Sequence, residues 1–488
     1  MSKIVILGLS GLNPELVRKW LKDLPNMARM QQEGIWGEMQ STVPPTIPAA
    51  WTSALSGRNP GVFGFWDMKY RDTFSYGEPK SVDCRSKDQR VSSLYNTLSG
   101  LGQKVAIIGV PITWPPPRIP GGYSISCFLT PDLTQGFTWP KSLADEVRSL
   151  VGEYILDVQE SGTDFLRMDK EKAFKKTYEM DAQRFTLLKH FMGKRQCDAV
   201  FTVMMGADRM AHLFWRYSDD KHKRYNPDPR YRTALHDYYV WIDQQIGEAR
   251  QSLGEETVVF IVSDHGVQRL DGCINMNEWL IQEGYITLSE YPPSPTPFQE
   301  VKVDWSKTKA WTAGSAGQVY LNLKGREHDG IIAPEEYDRV LDELIAKIKR
   351  IPDEKGGSLE NRLFKRREIY SGPFAEYAPD LFVSFDDGRW KTDERVGFGS
   401  GRIHSVDEAS SQDDGADGSE GYFCLAGSHI PATGEHLGAS LLDVAPTVLD
   451  VMDLEIPAEM EGNSLSGKKR TLEEEEALVK ERLKFLGY

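Results

Sequence analysis

The stretch "KIVILGLSGLNPEL", residues 3–16, decides the fold class of this chain. Its first half is a continuous apolar run rich in Ile and Val, which is typical of a strand buried on both faces of a parallel sheet. The run stops at "GLSG", and a helix-like segment follows. In α/β enzymes, the end of the first strand often carries a metal ligand or a phosphate-binding group. Here that position is Ser10, so the function of the chain depends on whether a serine hydroxyl can bind a metal or a phosphate group there.

Strand-like and helix-like segments alternate along the chain, as a doubly wound α/β fold requires. The other strand candidates are "KVAIIGV" (104–110), "AVFTVMM" (199–205) and "TVVFIVS" (257–263). The helical patterns cover residues 13–24, 142–152, 232–253 and 334–351. We therefore predict an α/β, doubly wound and mostly parallel sheet, with the functional residues at the carboxyl ends of its strands.

The length of 488 residues suits one large domain with insertions, which we expect to span residues 1–488. Cap or insert regions are predicted at about 110–200, where Pro and Trp are frequent, and at about 290–400. Residues 405–421, "SVDEASSQDDGADGSEG", read as a solvated acidic loop that is partly disordered. The segment "RTLEEEEALVKERLKFLGY", residues 470–488, has the pattern of an amphipathic helix.

Composition excludes several function classes. The net charge of −14 argues against nucleic-acid binding, which needs a basic face. No apolar run approaches the roughly 20 residues that span a bilayer, so no membrane partner is expected. The five cysteines are scattered without a CxxC pair, which disfavours a disulfide framework or a zinc-thiolate site and indicates the cytoplasm. Nothing in the sequence indicates the oligomeric state.

Two Asp/His pairs each follow a predicted strand and together indicate a metal site. In "FIVSDHGV" a buried strand ends at Asp264 and His265, and Gly266 supports the turn that lets both side chains converge. In "VMMGADRMAHLFW" Asp208 and His212 are four residues apart and share one face if the segment is helical. Carboxylate and imidazole groups suit a divalent metal such as zinc. Either pair alone could be a helix-capping Asp or an incidental surface pair.

The segment "STVPPTIPAAWTSALSGRNPG", residues 41–61, supplies a candidate nucleophile. Thr46 lies between prolines in a rigid turn that leads into an apolar helix start. A hydroxyl is a poor nucleophile at neutral pH unless a base or a metal activates it. A Pro-rich turn with a helix-capping threonine is the structural alternative.

These segments resemble the alkaline phosphatase superfamily, in its type I phosphodiesterase/nucleotide pyrophosphatase-like branch. The resemblance extends from "GLSGLNPEL" and the Thr46 segment through "GADRMAHLFW" and "SDHG". It continues with "NEWLIQEGYITL" and "LLDVAPTVLDVMDLEIPAEMEGNSL" near the end of the chain. It implies a metal-dependent hydrolase of phosphoric esters, either a phosphodiesterase or a phosphatase, that acts on a small phosphate-ester substrate.

The resemblance also implies roles for individual residues. Thr46 would attack phosphorus in line and form a phospho-threonine intermediate that water cleaves. Of two divalent ions, zinc first or manganese as the alternative, one would be held by Asp208, His212 and a later histidine. We assign that histidine to His404 in "GFGSGRIHS", because it precedes "GYFCLAGSHIPATG", which looks like the strand that follows the ligand. His429 is the alternative.

The second ion would be held by Asp264 and His265 together with an aspartate at the end of the first strand. This chain has Ser10 at that position. A neutral serine is a poor ligand, and the implied ligands then carry one negative charge fewer than two divalent ions need. The second ion is therefore in doubt. We favour an active hydrolase over a repurposed phosphoryl or sulfuryl transferase of the same fold, or a degenerate ligand-binding relative.

A second departure concerns the substrate. The nucleotide pyrophosphatases have an asparagine soon after the nucleophile, where this chain has Ala49 and Ala50. Specificity for nucleotides is therefore not implied, and a sulfate ester also remains open as a substrate. Trp51, Arg58 and Arg209 are candidate substrate-binding residues, with purely structural roles as the alternative.

Overall fold

The structure, a computed structural model, describes residues 2–77, 79–159, 165–254, 256–314, 316–399, 401–406 and 412–467. The amphipathic helix predicted for residues 470–488 lies outside this part of the chain. The described residues form two large sheets, two small two-stranded sheets and the helices that cover them.

The strands of the described residues are two to seven residues long. They are β1 (Lys3–Leu9), β2 (Gly34–Gln40), β3 (Lys69–Tyr70), β4 (Lys80–Ser81), β5 (Val105–Ile108), β6 (Tyr123–Ile125), β7 (Thr138–Trp139), β8 (Ala199–Met204), β9 (Thr257–Val262), β10 (Gly266–Arg269), β11 (Gly272–Asn275), β12 (Ala310–Ala313), β13 (Gln318–Leu321), β14 (Asn361–Lys365), β15 (Leu381–Phe385), β16 (Trp390–Asp393), β17 (His404–Ser405), β18 (Gly415–Gly418), β19 (Glu420–Ala426), β20 (Gly434–Glu435) and β21 (Ala439–Ser440).

The α-helices of the same residues range from single turns to long helices that cross the main sheet. They are α1 (Pro14–Trp20), α2 (Pro25–Glu33), α3 (Ile47–Ser56), α4 (Pro60–Phe63), α5 (Cys84–Asp88), α6 (Leu94–Gly100), α7 (Leu143–Val151), α8 (Lys170–Gly193), α9 (Gly206–Ser218), α10 (Ala234–Leu253), α11 (Met276–Gln282), α12 (Tyr337–Ile348), α13 (Arg366–Ile369) and α14 (Val444–Val451). Among these described helices, none combines the length and the apolar character that crossing a bilayer requires.

The main sheet has ten strands and confirms the predicted mostly parallel α/β class. Its order is β20-β2-β19-β9-β1-β8-β5-β6-β7, with β21 also paired to β2. The four strands predicted from apolar runs lie side by side at its centre, where β9, β1, β8 and β5 pair in parallel. The antiparallel pairs lie nearer the edges, where β19 is antiparallel to both β9 and β2, and β6 is antiparallel to β7.

The central strands are apolar throughout because both faces of the sheet are covered. In β1, Val5 and Leu7 face one core, which includes residues of α2, α8, α9 and α10. Ile4 and Ile6 face the other core, which includes residues of α3, α6 and α14. Such alternation into two apolar cores is what a doubly wound sheet requires of a buried parallel strand.

Each of the four predicted helical segments contains a helix. Residues 13–24 form α1 and a short 3-10 turn, and residues 142–152 form α7. Residues 232–253 form α10, and residues 334–351 form a 3-10 turn followed by α12.

The second large sheet is built from residues 272–405 and has the order β12-β13-β15-β16-β11-β17, with β14 paired to β15. It has a core of its own, to which α12 contributes Leu341 and Leu344. This sheet contains the region predicted as an insert at about 290–400. In the region at about 110–200, β6 and β7 extend the main sheet, and α7 and α8 contribute to the core on one of its faces.

The acidic segment 405–421 does not match the solvated loop predicted for it. Residues 412–421 include β18 and the start of β19, and Asp414 is completely buried. β18 pairs antiparallel with β10, which directly follows the "SDHG" motif. Residues 407–411 lie outside the described part of the chain.

Helix α2 is fixed to α10 by one buried carboxylate. Asp243 Oδ1 accepts a hydrogen bond from the Met27 backbone N–H at 2.7 Å, and its Oδ2 accepts one from the Asn26 N–H at 3.1 Å. These N–H groups belong to the first turn of α2 and have no partner within that helix. A Cβ on Gly247 would lie 2.3 Å from Asn26 Oδ1, so glycine is required for the close approach.

We expect Asp243→Ala to lower the free energy of unfolding by about 2 kcal/mol, because it leaves buried N–H groups at a helix start without acceptors. Urea denaturation followed by circular dichroism measures the change. Glu248→Ala is the matched control on the same helix. Its carboxylate is exposed and lies 3.9 Å from Lys189, so we expect a change within about 0.5 kcal/mol. Equal losses in both variants would contradict the anchoring role of Asp243.

Candidate active site

The ends of β1, β8 and β9 meet at one edge of the main sheet and bring the predicted motifs together. The Asp208 backbone N–H donates to the Ser10 carbonyl at 3.0 Å, and Gly11 forms a parallel bridge with Gly266. Gly11 has a φ of +77°, and a Cβ there would lie 2.6 Å from the Asp208 Cα. Glycine at position 11 thus allows the backbone after β1 to contact the backbone of Asp208.

Three side chains form a candidate metal centre at this edge. Ligand atoms of Asp208, His265 and Asp417 all lie within 4.8 Å of one another. Asp208 and His265 are buried, and Asp417 is half-buried. Asp417 belongs to β18 and is placed there by the pairing of Val267 with Asp417 in the β10–β18 ladder.

His212 lies beside this cluster with both ring nitrogens facing carboxylates. Its Nε2 is 3.2 Å from Asp417 Oδ1 and 3.4 Å from Asp208 Oδ1, and its Nδ1 is 2.6 Å from Asp413 Oδ1. Burial alone would lower the pKa of His212, but the charges of Asp413 and Asp208 raise it well above its usual value. Asp413 is itself held by Lys391 Nζ at 2.7 Å. The ring is therefore fixed from both sides.

Asp208 is strongly acidic. Burial would raise its pKa, but the neighbouring charges of His212 and Arg209 lower it to about 2. It is therefore ionised at neutral pH and available as a ligand.

Asp264 and His265 carry buried polar atoms that have no protein partner. Within the described residues, neither ring nitrogen of His265 nor Oδ1 of Asp264 makes a hydrogen bond, although both side chains are fully buried. The His265 Nε2 is 3.6 Å from Asp264 Oδ2, which is too long for a hydrogen bond. Burying such atoms unpaired costs free energy. A divalent cation fits here, because it would satisfy the imidazole and the carboxylate together.

Ser10 lies in this same buried place, at the end of β1. Its Oγ donates a hydrogen bond to Asp264 Oδ2 at 3.2 Å. The serine thus orients the carboxylate of Asp264 but adds no negative charge.

Thr46 precedes α3 as its N-cap residue, yet its hydroxyl does not cap the helix. The hydroxyl instead donates to the Trp66 carbonyl at 2.8 Å. The first turn of α3 therefore keeps N–H groups without intrahelical partners, which favours an anion at this end.

A cavity of about 230 Å³ separates Thr46 from the second sheet. The polar residues of its wall include Thr46, Asp417 and Lys391, together with the charged residues Asp67, Arg362 and Asp387. Most of the remaining surface is apolar and includes Phe382 and Phe385 of β15. The main sheet thus supplies the reactive groups, and the second sheet closes the space above them.

The structure does not bring His404 to the cluster. His404 lies on β17 in the second sheet, with its Nε2 2.8 Å from the Pro352 carbonyl and its ring edge-on to Trp390. The alternative, His429, is exposed. At the position beside Asp208 and His212 where the late histidine was expected, the structure has Asp417.

The three candidate substrate-binding residues are placed in buried contacts. Trp51 is 1% exposed and packs in the core beside β1. Arg58 Nε is 3.4 Å from Glu461 Oε1. Arg209 binds both carboxylate oxygens of Asp157, at 2.8 and 3.0 Å, and Asp208 Oδ2 at 2.5 Å. Within the described residues, none of the three lines the cavity beside Thr46.

Sequence reasoning missed the contribution of Asp413 and Asp417 because their segment is rich in acidic and small residues. A signal was nevertheless present, since "GADG" lies two residues before the strand segment "GYFCLAG" that was expected to follow a ligand. Lys391 and Asp157 gave no comparable signal, because nothing local links them to the motifs that they support.

Solved structures share this architecture. Human ectonucleotide pyrophosphatase/phosphodiesterase 5 is 12% identical, with a TM-score of 0.50 over 95% of this chain and 97% of that chain. The murine protein of the same name, inactive and in complex with AMP, is 12% identical, with a TM-score of 0.49 over 94% of this chain and 96% of that chain. At this identity the human structure demonstrates a common fold. No curated protein matches the chain in sequence.

The sequence profile of type I phosphodiesterase/nucleotide pyrophosphatase matches residues 4–406, which is most of the chain. The matched range includes Thr46 and both Asp/His pairs. The chain therefore belongs to the type I phosphodiesterase/nucleotide pyrophosphatase family, a branch of the alkaline phosphatase superfamily.

Proposed function

We propose that this protein is a metal-dependent hydrolase of small phosphoric esters, a phosphodiesterase or a phosphatase, with Thr46 as nucleophile. Membership of the family supports phosphoester hydrolysis. One observation carries the proposal for this chain: His265 and Asp264 have unpartnered buried atoms beside Asp208 and Asp417. That cluster borders the cavity lined by Thr46, because Asp417 belongs to both.

Two groups of residues would hold divalent ions. Asp208, His212 and Asp417 would form one ligand set. Asp264, His265 and Thr46 would form the other, with Ser10 as a weak neutral neighbour. Such ions favour the alkoxide form of a hydroxyl and neutralise charge on a phosphoryl group. Mixed imidazole and carboxylate ligands suit zinc, and the added carboxylate of Asp417 keeps manganese as the alternative.

Asp417, which lies where a histidine ligand was expected, adds one negative charge to the site. Three carboxylates, from Asp208, Asp264 and Asp417, together with a Thr46 alkoxide, match the charge of two divalent ions. The carboxylate of Asp417 thus supplies the negative charge that is missing because residue 10 is a serine. This compensation supports an active hydrolase over the transferase and the ligand-binding relative.

The protein's own groups prepare the reaction. Thr46 gives up its hydrogen bond to the Trp66 carbonyl, loses its hydroxyl proton to solvent and attacks phosphorus, while the N-terminus of α3 faces the phosphoryl oxygens. The bond from phosphorus to the ester oxygen breaks, and the alcohol leaves and takes up a proton from solvent. Arg209 and Asp413 orient Asp208 and His212, respectively. Water then cleaves the phospho-threonine, as in other two-step phosphoryl transfers through a covalent intermediate.

The proposed compartment is the cytoplasm. All five cysteines are free, four of them buried and Cys273 half-buried, which supports a reducing environment.

We expect Thr46→Ala to lower turnover of bis(4-nitrophenyl) phosphate and 4-nitrophenyl phosphate by about 1,000-fold or more, because the nucleophile is removed. Steady-state rates with added zinc or manganese measure the effect. Thr46→Ser keeps a hydroxyl and should retain turnover well above that of the alanine variant. Circular dichroism should show the same fold for all three proteins. Unchanged turnover in Thr46→Ala would reject the nucleophile, and absence of turnover in the unaltered enzyme would favour the ligand-binding relative.

Asp417→Ala should weaken binding of the zinc or manganese ion by about 100-fold or more, because it removes a carboxylate ligand. Isothermal titration calorimetry with the metal-stripped protein gives the affinity. Asp417→His should keep most of it, since imidazole is also a ligand. His404→Ala is the control and should bind the ion as the unaltered chain does. The opposite ranking of Asp417→Ala and His404→Ala would restore His404 as the ligand.

Ser10→Asp should tighten the binding of the second ion, because a carboxylate replaces a neutral hydroxyl beside Asp264. Elemental analysis after dialysis gives the number of ions per chain, and calorimetry gives the weaker affinity. Ser10→Asn, which is neutral and of similar size to aspartate, controls for volume. If the aspartate and asparagine variants bind the second ion equally, then the end of β1 does not belong to the metal centre.

A further inference from the structure

A second chamber adjoins the cavity beside Thr46. Asp67 and Met68 line both spaces, and the second chamber has a volume of about 420 Å³. Asp67 directly follows Trp66, whose carbonyl accepts the hydrogen bond of the Thr46 hydroxyl. A phosphoryl group held at Thr46 therefore lies in a cavity that Asp67 and Met68 separate from the second chamber, so its substituent can be directed towards that chamber. The volume of the second chamber falls in the range of about 300–1,000 Å³ that small-ligand pockets occupy.

Aromatic side chains form one wall of this chamber. Tyr76 and Trp305 are stacked, with ring centroids 3.8 Å apart and ring planes inclined by 9°. Asn322 fixes both segments, because its Oδ1 accepts from the Tyr76 hydroxyl at 2.5 Å and its Nδ2 donates to the Trp305 carbonyl at 3.0 Å. Both rings are half-buried and line the chamber. The wall is thus rigid before any ligand arrives, which reduces the entropy lost on binding.

Two carboxylates line the same chamber without cationic partners. Asp67 accepts hydrogen bonds from the Met68 N–H at 2.7 Å and Gln318 Nε2 at 2.9 Å. Glu394 accepts them from the Gly314 N–H at 2.7 Å and Gln299 Nε2 at 3.3 Å. Within the described residues neither carboxylate forms an ion pair. Because an ionised carboxylate offers about four acceptor sites, each retains capacity for donors from a ligand.

Arg71 also lines this chamber, but its charge is already engaged. Its Nη2 is 3.1 Å from Glu327 Oε1, and its guanidinium lies 5.0 Å from the centroid of the Tyr320 ring. Lys69 also lines the chamber and is exposed. The chamber therefore combines an apolar aromatic face with acceptors of hydrogen bonds, and the two carboxylates of Asp67 and Glu394 outnumber the one ammonium of Lys69.

We propose that this aromatic chamber binds an uncharged polyhydroxylated ring, of the pyranose or cyclitol type, that is esterified to the reacting phosphoryl group. The apolar C–H face of such a ring packs against Trp305, and its hydroxyl groups donate to Asp67 and Glu394. Anionic substituents are disfavoured by the same two carboxylates. The inference deepens the proposed function, since it assigns the ester's substituent at the same site.

Binding can be tested apart from catalysis with the full-length Thr46→Ala protein. The probes are methyl β-glucopyranoside and myo-inositol, compared with benzyl alcohol and glucose 6-phosphate, and saturation-transfer NMR titrations give the affinities. We expect at least one of the two polyols to bind saturably and more tightly than either comparator. Trp305→Ala should weaken that binding about fivefold or more, because the stacking surface is lost. Asp67→Asn should weaken it as well and should reduce discrimination against glucose 6-phosphate.

Trp241→Ala, which alters a half-buried tryptophan on α10 outside the chamber, is the matched control and should leave polyol binding unchanged. Failure of both polyols to bind, equal binding of benzyl alcohol, or an unchanged affinity in a folded Trp305→Ala variant would overturn the inference. The two proposals fail separately. Polyol binding without hydrolysis of any aryl phosphate would support the chamber and reject the hydrolase, and hydrolysis without polyol binding would do the reverse.

Discussion

The site depends on the parallel pairing of β1 with β8 on one side and β9 on the other. Parallel neighbours end at the same edge, so Ser10, Asp208 and Asp264, which follow the three strands, meet although they are 56 to 254 positions apart in the sequence. The hydrogen bond from the Asp208 N–H to the Ser10 carbonyl and the bridge between Gly11 and Gly266 continue this pairing beyond the strands. His212 and Asp417 lie beside Asp208 at that same edge.

In the proposed metal centre, charge balance accounts for the departures from the pattern that the family resemblance implies. Residue 10 is a serine and provides no carboxylate. Asp417 provides one, and its ligand atom lies within 4.8 Å of a ring nitrogen of His265. The compensation is in charge and not in position, because Ser10 follows β1 of the main sheet whereas Asp417 lies on β18 of a two-stranded sheet. The proposed metal centre therefore keeps its charge while its ligands are rearranged.

The sequence allowed the central sheet, its helices and the two Asp/His motifs to be predicted, because each depends on local periodicity and on the rule that parallel strands end together. His404 was chosen by order along the chain, but the approach of Asp417 depends on the β10–β18 ladder between distant segments. Burial of Trp51 and the pairing of Arg209 with Asp157 also depend on partners remote in sequence. Local patterns carry no information about such partners.

The β10–β18 ladder has a consequence for the order of events during synthesis. Asp208, His212, Asp264 and His265 are all made before the second sheet, whereas Asp417 follows it. The last carboxylate reaches the cluster only after the chain has returned from residues 272–405, a contact of high sequence separation that forms late. A growing polypeptide on the ribosome thus carries an incomplete set of the proposed ligands until Asp417 has been synthesised and β18 has paired with β10.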